Sequence, residues 1–389
     1  MASPLQKTST SDGVDFAAVE KVEKVQYTQA ITVLLVSLLA VPVCYGLYRF
    51  HTAYQSIDQD LLFGVAVLIC LLIWLLSYMI LRSITQSHRV FDPFLAVFSF
   101  FSFTCVVDLI LAFNIDKMID WTTFYLEHGE KYLLSSYGAA INYWDGLIHL
   151  PLYLLLIHRL ANGGSILVAG AFWFGSVMNS LLVFLPGNAL GSFAQDLKPS
   201  FLLNVPYVLV PIWFLTRIAK EGSDLKPRLN LFSSGPLKYL LFLGSGLVSV
   251  IQTIRFFTVL SCPLEFANSW LLVEPSLTDP LVYPAMQVLV DFFYRLPVQF
   301  YLVYAIFQQH ISPFSLVIAW INLGAAAQGI FSYSVTALRA PELSDTPFYQ
   351  QYSLTPFLTL QATLFFIPLL TTLALEASQP RVATKSKSE

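Results

Sequence analysis

The sequence predicts an all-α polytopic membrane protein with about ten transmembrane helices. Of its 389 residues, 56% are hydrophobic and only 12% are charged, whereas soluble domains carry about 25% charged residues. Apolar runs of about 20 residues recur along the chain, and each is long enough to cross about 30 Å of hydrocarbon as a helix. The predicted spans are 28–48, 61–81, 94–114, 137–157, 165–185, 199–217, 238–260, 282–307, 311–334 and 354–376.

The distribution of basic residues predicts the orientation of these spans. Residues 1–27 are polar and expected to be disordered, and the first apolar run is of full membrane length, so no cleavable signal peptide is expected. Ten spans place both termini on one side. That side carries 14 of the 21 Lys and Arg residues and the opposite side carries five. The bias predicts a cytosolic N-terminus and a cytosolic tail at 377–389.

The fourth span has a polar centre that returns later in the chain. At 137–151 it reads Tyr-Gly-Ala-Ala-Ile-Asn-Tyr-Trp-Asp-Gly-Leu-Ile-His-Leu-Pro, and the segment 283–297 has the same spacing. In both segments Tyr precedes Asp by eight residues, a basic residue follows the Asp by four, and Leu-Pro follows. At helical spacing Asp145 and His149 share one face.

This recurrence extends to the neighbouring spans and predicts two tandem four-helix repeats, at 90–217 and 236–376. Two further helices at 28–82 precede them. Corresponding helices are four spans apart, which is an even number, so the repeats have parallel topology.

Polar residues within the spans are few and are the candidate site residues. A carboxylate at the centre of a bilayer costs about 2.5–3.5 kcal/mol, so it is expected to face the interior of a bundle or a cavity. The candidate ligand-binding residues of the first repeat are Asp108, Asp145, His149, Asn179, Asn204 and Tyr207, and their counterparts in the second repeat are Arg255, Asp291, Arg295, Gln328 and Gln361.

The two sets differ in charge. In the second repeat Asp291 is expected to pair with Arg255 or Arg295, which would make that repeat self-neutralised. The first repeat has two carboxyls and one histidine, so one carboxyl is expected to be protonated or to share a proton with His149. The alternative is that these groups only lock helices together, and for Asn179 and Gln328 interhelical hydrogen bonds would suffice.

Two acidic loops on the predicted lumenal side lead into the central helices of the repeats. Loop 115–136 includes Glu130, and loop 261–281 includes Glu274 and Asp279. They are expected to be solvated loops, with a lid over a cavity as the alternative.

Other sequence features limit which cofactors and partners are expected. The four cysteines form no Cys-x-x-Cys pattern, so no metal, cofactor or disulfide framework is expected. The net charge of −3 gives no indication of nucleic-acid binding. Lys385 and Lys387 resemble a dilysine retrieval signal read by coat proteins, with a plain basic tail as the alternative.

Three motifs resemble the transmembrane 6 superfamily. They are Tyr-Gly-x-x-Ile-x-Tyr-Trp-Asp-Gly at 137–146, Phe-Leu-Pro-Gly-Asn at 184–188 and Cys-Pro-x-Glu at 262–265. The resemblance implies two EXPERA bundles, the unit shared with emopamil-binding sterol isomerases. It also implies lipid handling in the endoplasmic reticulum and the ER-Golgi intermediate compartment. One branch promotes triglyceride loading and lipoprotein export, which implies lipoprotein-assembly factors as partners, and another branch is associated with lysosomes.

The isomerase pattern is only partly kept. The glutamate of the second-helix pattern is replaced by Ala112 after Asp108 and by Val259 after Arg255, while the fourth-helix pattern persists at Asn204. The leading hypothesis is therefore a non-enzymatic membrane protein that binds a sterol or another lipid. The alternatives are an isomerase-like enzyme in which Asp145, His149 and Asp108 move the proton, and a scaffold for lipoprotein assembly.

Overall fold

The computed structural model describes residues 27–54, 59–84, 91–223, 228–229, 235–278, 281–308, 310–339 and 354–377. Within these residues, ten helical segments are long and apolar enough to cross a membrane, which confirms the predicted number. The segments are Thr28–Ala53, Gly64–Ile84, Pro93–Ile115, Ser136–Asn162, Leu167–Leu190, Pro199–Ser223, Pro236–Val259, Tyr283–Phe307, Phe314–Leu338 and Leu354–Ala377. The chain is a polytopic helical membrane protein.

The individual helices are shorter than the spans because several spans are interrupted. The α-helices are α1 (Thr28–Ser37), α2 (Ala40–Ala53), α3 (Gln59–Ile84), α4 (Pro93–Ile115), α5 (Thr123–His128), α6 (Ser136–Trp144), α7 (Leu150–Asn162), α8 (Leu167–Leu190), α9 (Val205–Ser223), α10 (Pro236–Val259), α11 (Glu265–Trp270), α12 (Tyr283–Val290), α13 (Leu296–Phe307), α14 (Pro313–Leu338) and α15 (Leu354–Ala377). Two short strands, β1 (Arg228–Leu229) and β2 (His310–Ile311), pair antiparallel.

Polar side chains cap the N-termini of three helices. The carboxylate of Asp92 accepts from the amide of Phe94 at the start of α4, where Pro93 occupies the first turn. Ser135 and Ser312 cap α6 and α14 in the same way. Each cap satisfies a backbone N–H that has no partner inside the helix, and a proline in the first turn loses no hydrogen bond.

The first span is broken between α1 and α2, and it ends later than predicted, at Ala53. Pro42 has no amide hydrogen to donate to the carbonyl of Leu38. The amide of Val41 donates to that carbonyl instead, at 3.1 Å, which tightens the turn. The proline thus explains the interruption that hydropathy alone did not reveal.

Both polar-centred spans contain a π-helical turn, at Asp145–His149 and at Asp291–Arg295. In the first, the amide of Leu150 donates to the carbonyl of Asp145, five residues earlier, and Leu296 does the same to Asp291. A proline follows directly in each copy and cannot donate. Single π-turns inside helices occur frequently at functional sites.

The two central helices, α8 and α14, touch through their backbones. A Cβ on Gly175 would lie 1.9 Å from the carbonyl oxygen of Ile321, and one on Gly324 would lie 2.0 Å from that of Phe172. Each contacted residue is three positions before the other glycine, so the contact is reciprocal. Reciprocal contacts are typical of a two-fold relation between units.

Other corresponding residues of the predicted repeats also meet across this interface. The rings of Tyr137 and Tyr283 stack with centroids 4.9 Å apart and planes 9° apart. Asn179 Nδ2 donates to Gln328 Oε1 at 2.7 Å. Both pairs join residues that correspond in the predicted repeats, and the division into two repeats stays a prediction.

Helices α1, α2 and α3 pack against α4 on the outside of the first bundle. They were expected only to precede the repeats. Helices α2 and α3 also form a wall of the cavity described next.

Candidate ligand cavity in the first bundle

A cavity of about 340 Å³ lies in the first helical bundle. Its volume is within the range of ligand sites, which is about 300–1,000 Å³. Its walls are mostly apolar, and its polar lining residues include Asp108, Glu130, Asn142, Asp145, His149, Asn204 and Tyr207. Five of the six predicted ligand-binding residues of the first repeat thus line one cavity. Their role in binding stays a prediction.

Asp145 and His149 form the floor of this cavity from opposite ends of the π-turn. His149 Nδ1 lies 2.5 Å from Asp145 Oδ1. Its Nε2 lies 2.8 Å from Ser176 Oγ and 3.1 Å from Trp144 Nε1. An indole N–H can only donate, so Nε2 is the acceptor and the proton resides on Nδ1. Both ring nitrogens are therefore engaged by protein groups.

Ser176 and Trp144 are site residues that the sequence analysis missed. Trp144 Nε1 also donates to Ser176 Oγ, at 2.8 Å, so the three side chains form one buried cluster. Ser176 comes from α8 and is 27 residues from His149 in the chain. No local spacing rule relates residues that far apart.

Asp108 lies on α4 and faces the cavity from the opposite wall. Among the described residues it has no ion pair, although it is partly exposed to the cavity. Two carboxyls, Asp108 and Asp145, thus share a mostly apolar cavity whose basic lining residues are His128, His149 and Lys198. A ligand's polar end is the natural partner for such groups.

Asn204 and Tyr207 line the cavity from the segment Pro199–Ser223. The hydroxyl of Tyr207 lies 2.5 Å from Thr104 Oγ1, and its ring stacks on Phe101 at 4.5 Å. Asn204 donates to the carbonyl of Phe201 at 3.0 Å. Tyr207 therefore contributes mainly its ring surface to the wall.

Asn179, the sixth predicted ligand-binding residue, does not line the cavity. It is fully buried, and its Nδ2 donates to Gln287 Oε1 at 3.0 Å and to Gln328 Oε1. Asn179 and Gln328 thus form the interhelical hydrogen bond that the sequence analysis gave as the alternative.

Loop 115–136 covers one end of the cavity, so the lid alternative describes it better than a solvated loop. Glu130 is buried there, and Tyr132 Oη donates to its Oε1 at 2.5 Å. Burial raises the pKa of the Glu130 carboxyl to about 7, while hydrogen bonds from Tyr132, Tyr125 and Asn204 act in the opposite direction. Glu130 is therefore a third carboxyl of this cavity.

The N-terminal helices complete the cavity wall, which the sequence analysis did not foresee. Cys44 on α2 and Cys70 on α3 are lining residues, together with apolar neighbours on both helices. Both are free thiols. Helix α3 also exposes several large apolar side chains, among them Leu68, Leu72 and Trp74.

In the second bundle the charged residues pair with one another, although Arg295 Nε has no hydrogen-bond partner among the described residues. Asp291 accepts from Arg255 Nη1 at 2.8 Å and from Arg295 Nη1 at 2.6 Å, which confirms both alternative ion pairs. Arg255 also pairs with Glu274, at 3.0 Å, and lies over the ring of Tyr333. Two positive and two negative charges are thus buried together.

Glu274 corrects the expectation of a solvated loop 261–281. It is fully buried, and it accepts from Trp270 Nε1 at 2.6 Å and from Gln361 Nε2 at 3.4 Å. The sequence analysis placed it on the loop because no hydropathy signal marks an acid that folds back onto an arginine. Asp279 and the predicted retrieval lysines, Lys385 and Lys387, lie outside the described residues.

Comparison with known proteins identifies the family. The family model described as Transmembrane 6 superfamily member 2-like, transmembrane domain, matches residues 39–228. Transmembrane 6 superfamily member 2 from Homo sapiens is 35% identical over 272 residues, covering 67% of this chain and 70% of that protein. The Mus musculus protein is 34% identical over 274 residues, with the same coverage. No solved structure matches the chain. This chain belongs to the transmembrane 6 superfamily.

Proposed function

We propose that the protein binds a sterol or another lipid inside the membrane, in the cavity of its first bundle. The observation that carries the proposal is the combination of apolar walls with the two carboxyl groups of Asp108 and Asp145, the second of which is held by His149. Each methylene group of a ligand buried against such walls contributes about 0.8 kcal/mol. The polar floor would hold the ligand's headgroup and fix its orientation.

The cellular role proposed for this binding is regulation of lipid metabolism in the early secretory pathway. It follows from the resemblance to the family, whose implied functions include triglyceride loading and lipoprotein export. The excess of basic residues on one side supports cytosolic termini. Residence in the endoplasmic reticulum and the intermediate compartment is the proposed location, and the lysosomal membrane is the alternative.

Protection of a cavity cysteine tests binding directly. Cys70 and Cys262 are both half-buried. Cys70 lines the cavity and Cys262 lies outside it. Purified protein is treated with a small membrane-permeant thiol reagent, with and without added cholesterol or dioleoylglycerol, and labelling of each cysteine is measured by mass spectrometry. We expect added lipid to slow labelling of Cys70 and to leave Cys262 unchanged. Equal rates at both cysteines with and without lipid would contradict the proposal.

Lipid analysis of the purified protein identifies the natural ligand. The expected result is one lipid class enriched over the surrounding membrane in the wild type and lost in the double variant Asp108→Leu, Asp145→Leu. Retention of the same lipid in that variant would place the binding elsewhere.

An isomerase-like enzyme is the second candidate, because the Asp145–His149 pair lies at the floor of the cavity. The positions of Ser176 and Trp144 weigh against it, since they occupy the ring nitrogen that does not face Asp145. His149 therefore has no free nitrogen to present to a ligand. Turnover of a Δ8-sterol that is abolished by Asp145→Asn would favour the enzyme, and its absence would favour the binding protein.

A further inference from the structure

Asn142 is a polar lining residue of the cavity that the sequence analysis did not select. It lies on α6, one turn before Asp145, and lines the same cavity. Only 2% of its surface is exposed. Among the described residues its Nδ2 has no hydrogen-bond partner.

A buried amide nitrogen without a partner is uncommon in folded proteins. Leaving one unpaired costs about 1–3 kcal/mol. Among the described residues, the buried amide nitrogens of Asn179 and Gln287 are paired with each other, whereas those of Asn142 and Asn188 are not. Of these last two residues, Asn142 lines the cavity and Asn188 does not. The unpaired nitrogen of Asn142 is therefore best explained by a group that occupies the cavity.

The chemistry of the floor restricts what that group can be. The N–H of Asn142 requires an acceptor atom. The carboxyl oxygens of Asp108 and Asp145 accept hydrogen bonds, and the outer oxygen of Asp145 is not used by His149. One small group that donates and accepts together is a hydroxyl.

We infer that Asn142, together with Asp145, forms a subsite that selects a lipid hydroxyl over an amine. This inference rests on the proposed function and specifies the ligand class of the same cavity. An ammonium group has only donors, so it would leave the N–H of Asn142 unpaired. A site that pairs its buried polar groups with a hydroxyl rejects analogues that cannot satisfy them.

The carboxyl groups of the cavity favour the opposite outcome, in which the site prefers a lipid amine. Asp108 has no ion pair among the described residues, and a cationic headgroup would gain from its carboxylate. Preference for an amine would show that the acids, and not Asn142, determine specificity. The inference is therefore tested by comparing headgroups on one lipid skeleton.

Binding of tritiated cholesterol to the purified full-length protein provides the measurement, with competition by unlabelled cholesterol, by its 3β-amino analogue and by dioleoylglycerol. We expect wild-type protein to bind cholesterol more tightly than the amine. We expect Asn142→Leu to weaken cholesterol binding about tenfold, with less than a twofold effect on the amine. Competition by dioleoylglycerol, lost in the same variant, would assign the hydroxyl to an acylglycerol, and its failure to compete would assign it to a sterol.

Asn142→Asp provides the second variant, because it keeps the size of the side chain and replaces the donor by an acceptor. We expect it to reverse the preference in favour of the amine, and it decides the question if Asn142→Leu does not fold. Ser249→Ala, on α10 and outside the cavity, is the control and should bind as the wild type does.

The experiment distinguishes failure of this inference from failure of the proposed function. Wild-type protein that binds cholesterol with undiminished affinity after both Asn142 substitutions would overturn this inference alone. Wild-type protein that binds neither cholesterol nor dioleoylglycerol saturably would overturn the proposed function, and the inference with it.

Discussion

The ion-pair cluster of the second bundle yields a sharp stability prediction. Asp291 accepts hydrogen bonds from Arg255 at 2.8 Å, Arg295 at 2.6 Å, Gln287 at 3.0 Å and Gln252 at 3.2 Å. It is 2% exposed. Asp291→Asn removes its charge and leaves the cluster with a buried net charge of +1. Removing one partner from a buried pair costs about 3–5 kcal/mol, because the remaining charge is uncompensated.

Thermal unfolding in detergent, followed by tryptophan fluorescence, measures this cost. At about 2 °C per kcal/mol for a chain larger than about 150 residues, the expected fall in Tm is about 6–10 °C. Asp196→Asn is the control, because the Lys131–Asp196 pair is 3.4 Å long with side chains 53% and 43% exposed. Exposed pairs contribute about 0–1 kcal/mol, so its Tm should change little.

A double variant separates charge from packing. Arg295 has one ion-pair partner among the described residues, Asp291, so Asp291→Asn combined with Arg295→Gln restores a neutral cluster. We expect the double variant to be more stable than Asp291→Asn alone. A fall in Tm equal to the sum of the two single variants, or a loss in Asp291→Asn no larger than in Asp196→Asn, would refute the reasoning.

Three further predictions concern the fold and the cavity. Gly175→Ala should lower the Tm, since overpacking costs about 1–3 kcal/mol. Gly246→Ala is the control and should leave the Tm unchanged, because nothing lies within 4 Å of the added Cβ. Equal changes in Tm would contradict the close contact of α8 and α14. Because the pKa of Glu130 rises from 4.5 to about 7 on folding, the folded state binds the extra proton, and stability should fall as the pH rises between these values. Glu130→Gln should flatten this dependence and Glu127→Gln, on the exposed face of the same loop, should not. Ser176→Ala should remove one of the two contacts to His149 Nε2 and weaken cholesterol binding several-fold. Unchanged binding would show that the ring needs no support from Ser176.

Most of the fold could be predicted from the sequence because the bilayer imposes a strong physical constraint. A helix that crosses it needs about 20 apolar residues, so the number of spans follows from hydropathy. What hydropathy does not reveal is backbone irregularity. The break before Pro42 and the π-turn that begins at Asp145 depend on single prolines and on hydrogen bonds within the helix.

The candidate site could be predicted only in part. Acids inside apolar runs, such as Asp108 and Asp145, stand out because their burial is costly. Uncharged residues such as Asn142 and Ser176 give no comparable signal. Ser176 contacts His149, which is distant in sequence, and Asn142 Nδ2 has no partner among the described residues. Glu274 shows the reverse error, since an acid on a loop looks solvated until the fold brings Arg255 beside it.

The central claim is that a lipid occupies the cavity in contact with its carboxyl groups, and photo-crosslinking tests it most directly. Protein in native membranes is labelled with a sterol and with a diacylglycerol that carry a diazirine near the hydroxyl, and the adducts are mapped by mass spectrometry. The account predicts adducts on α4 and α6 near Asp108 and Asp145, competed by unlabelled lipid and lost in the double variant Asp108→Leu, Asp145→Leu. Adducts confined to the outward faces of α3 and α10, insensitive to competition and to that variant, would contradict it.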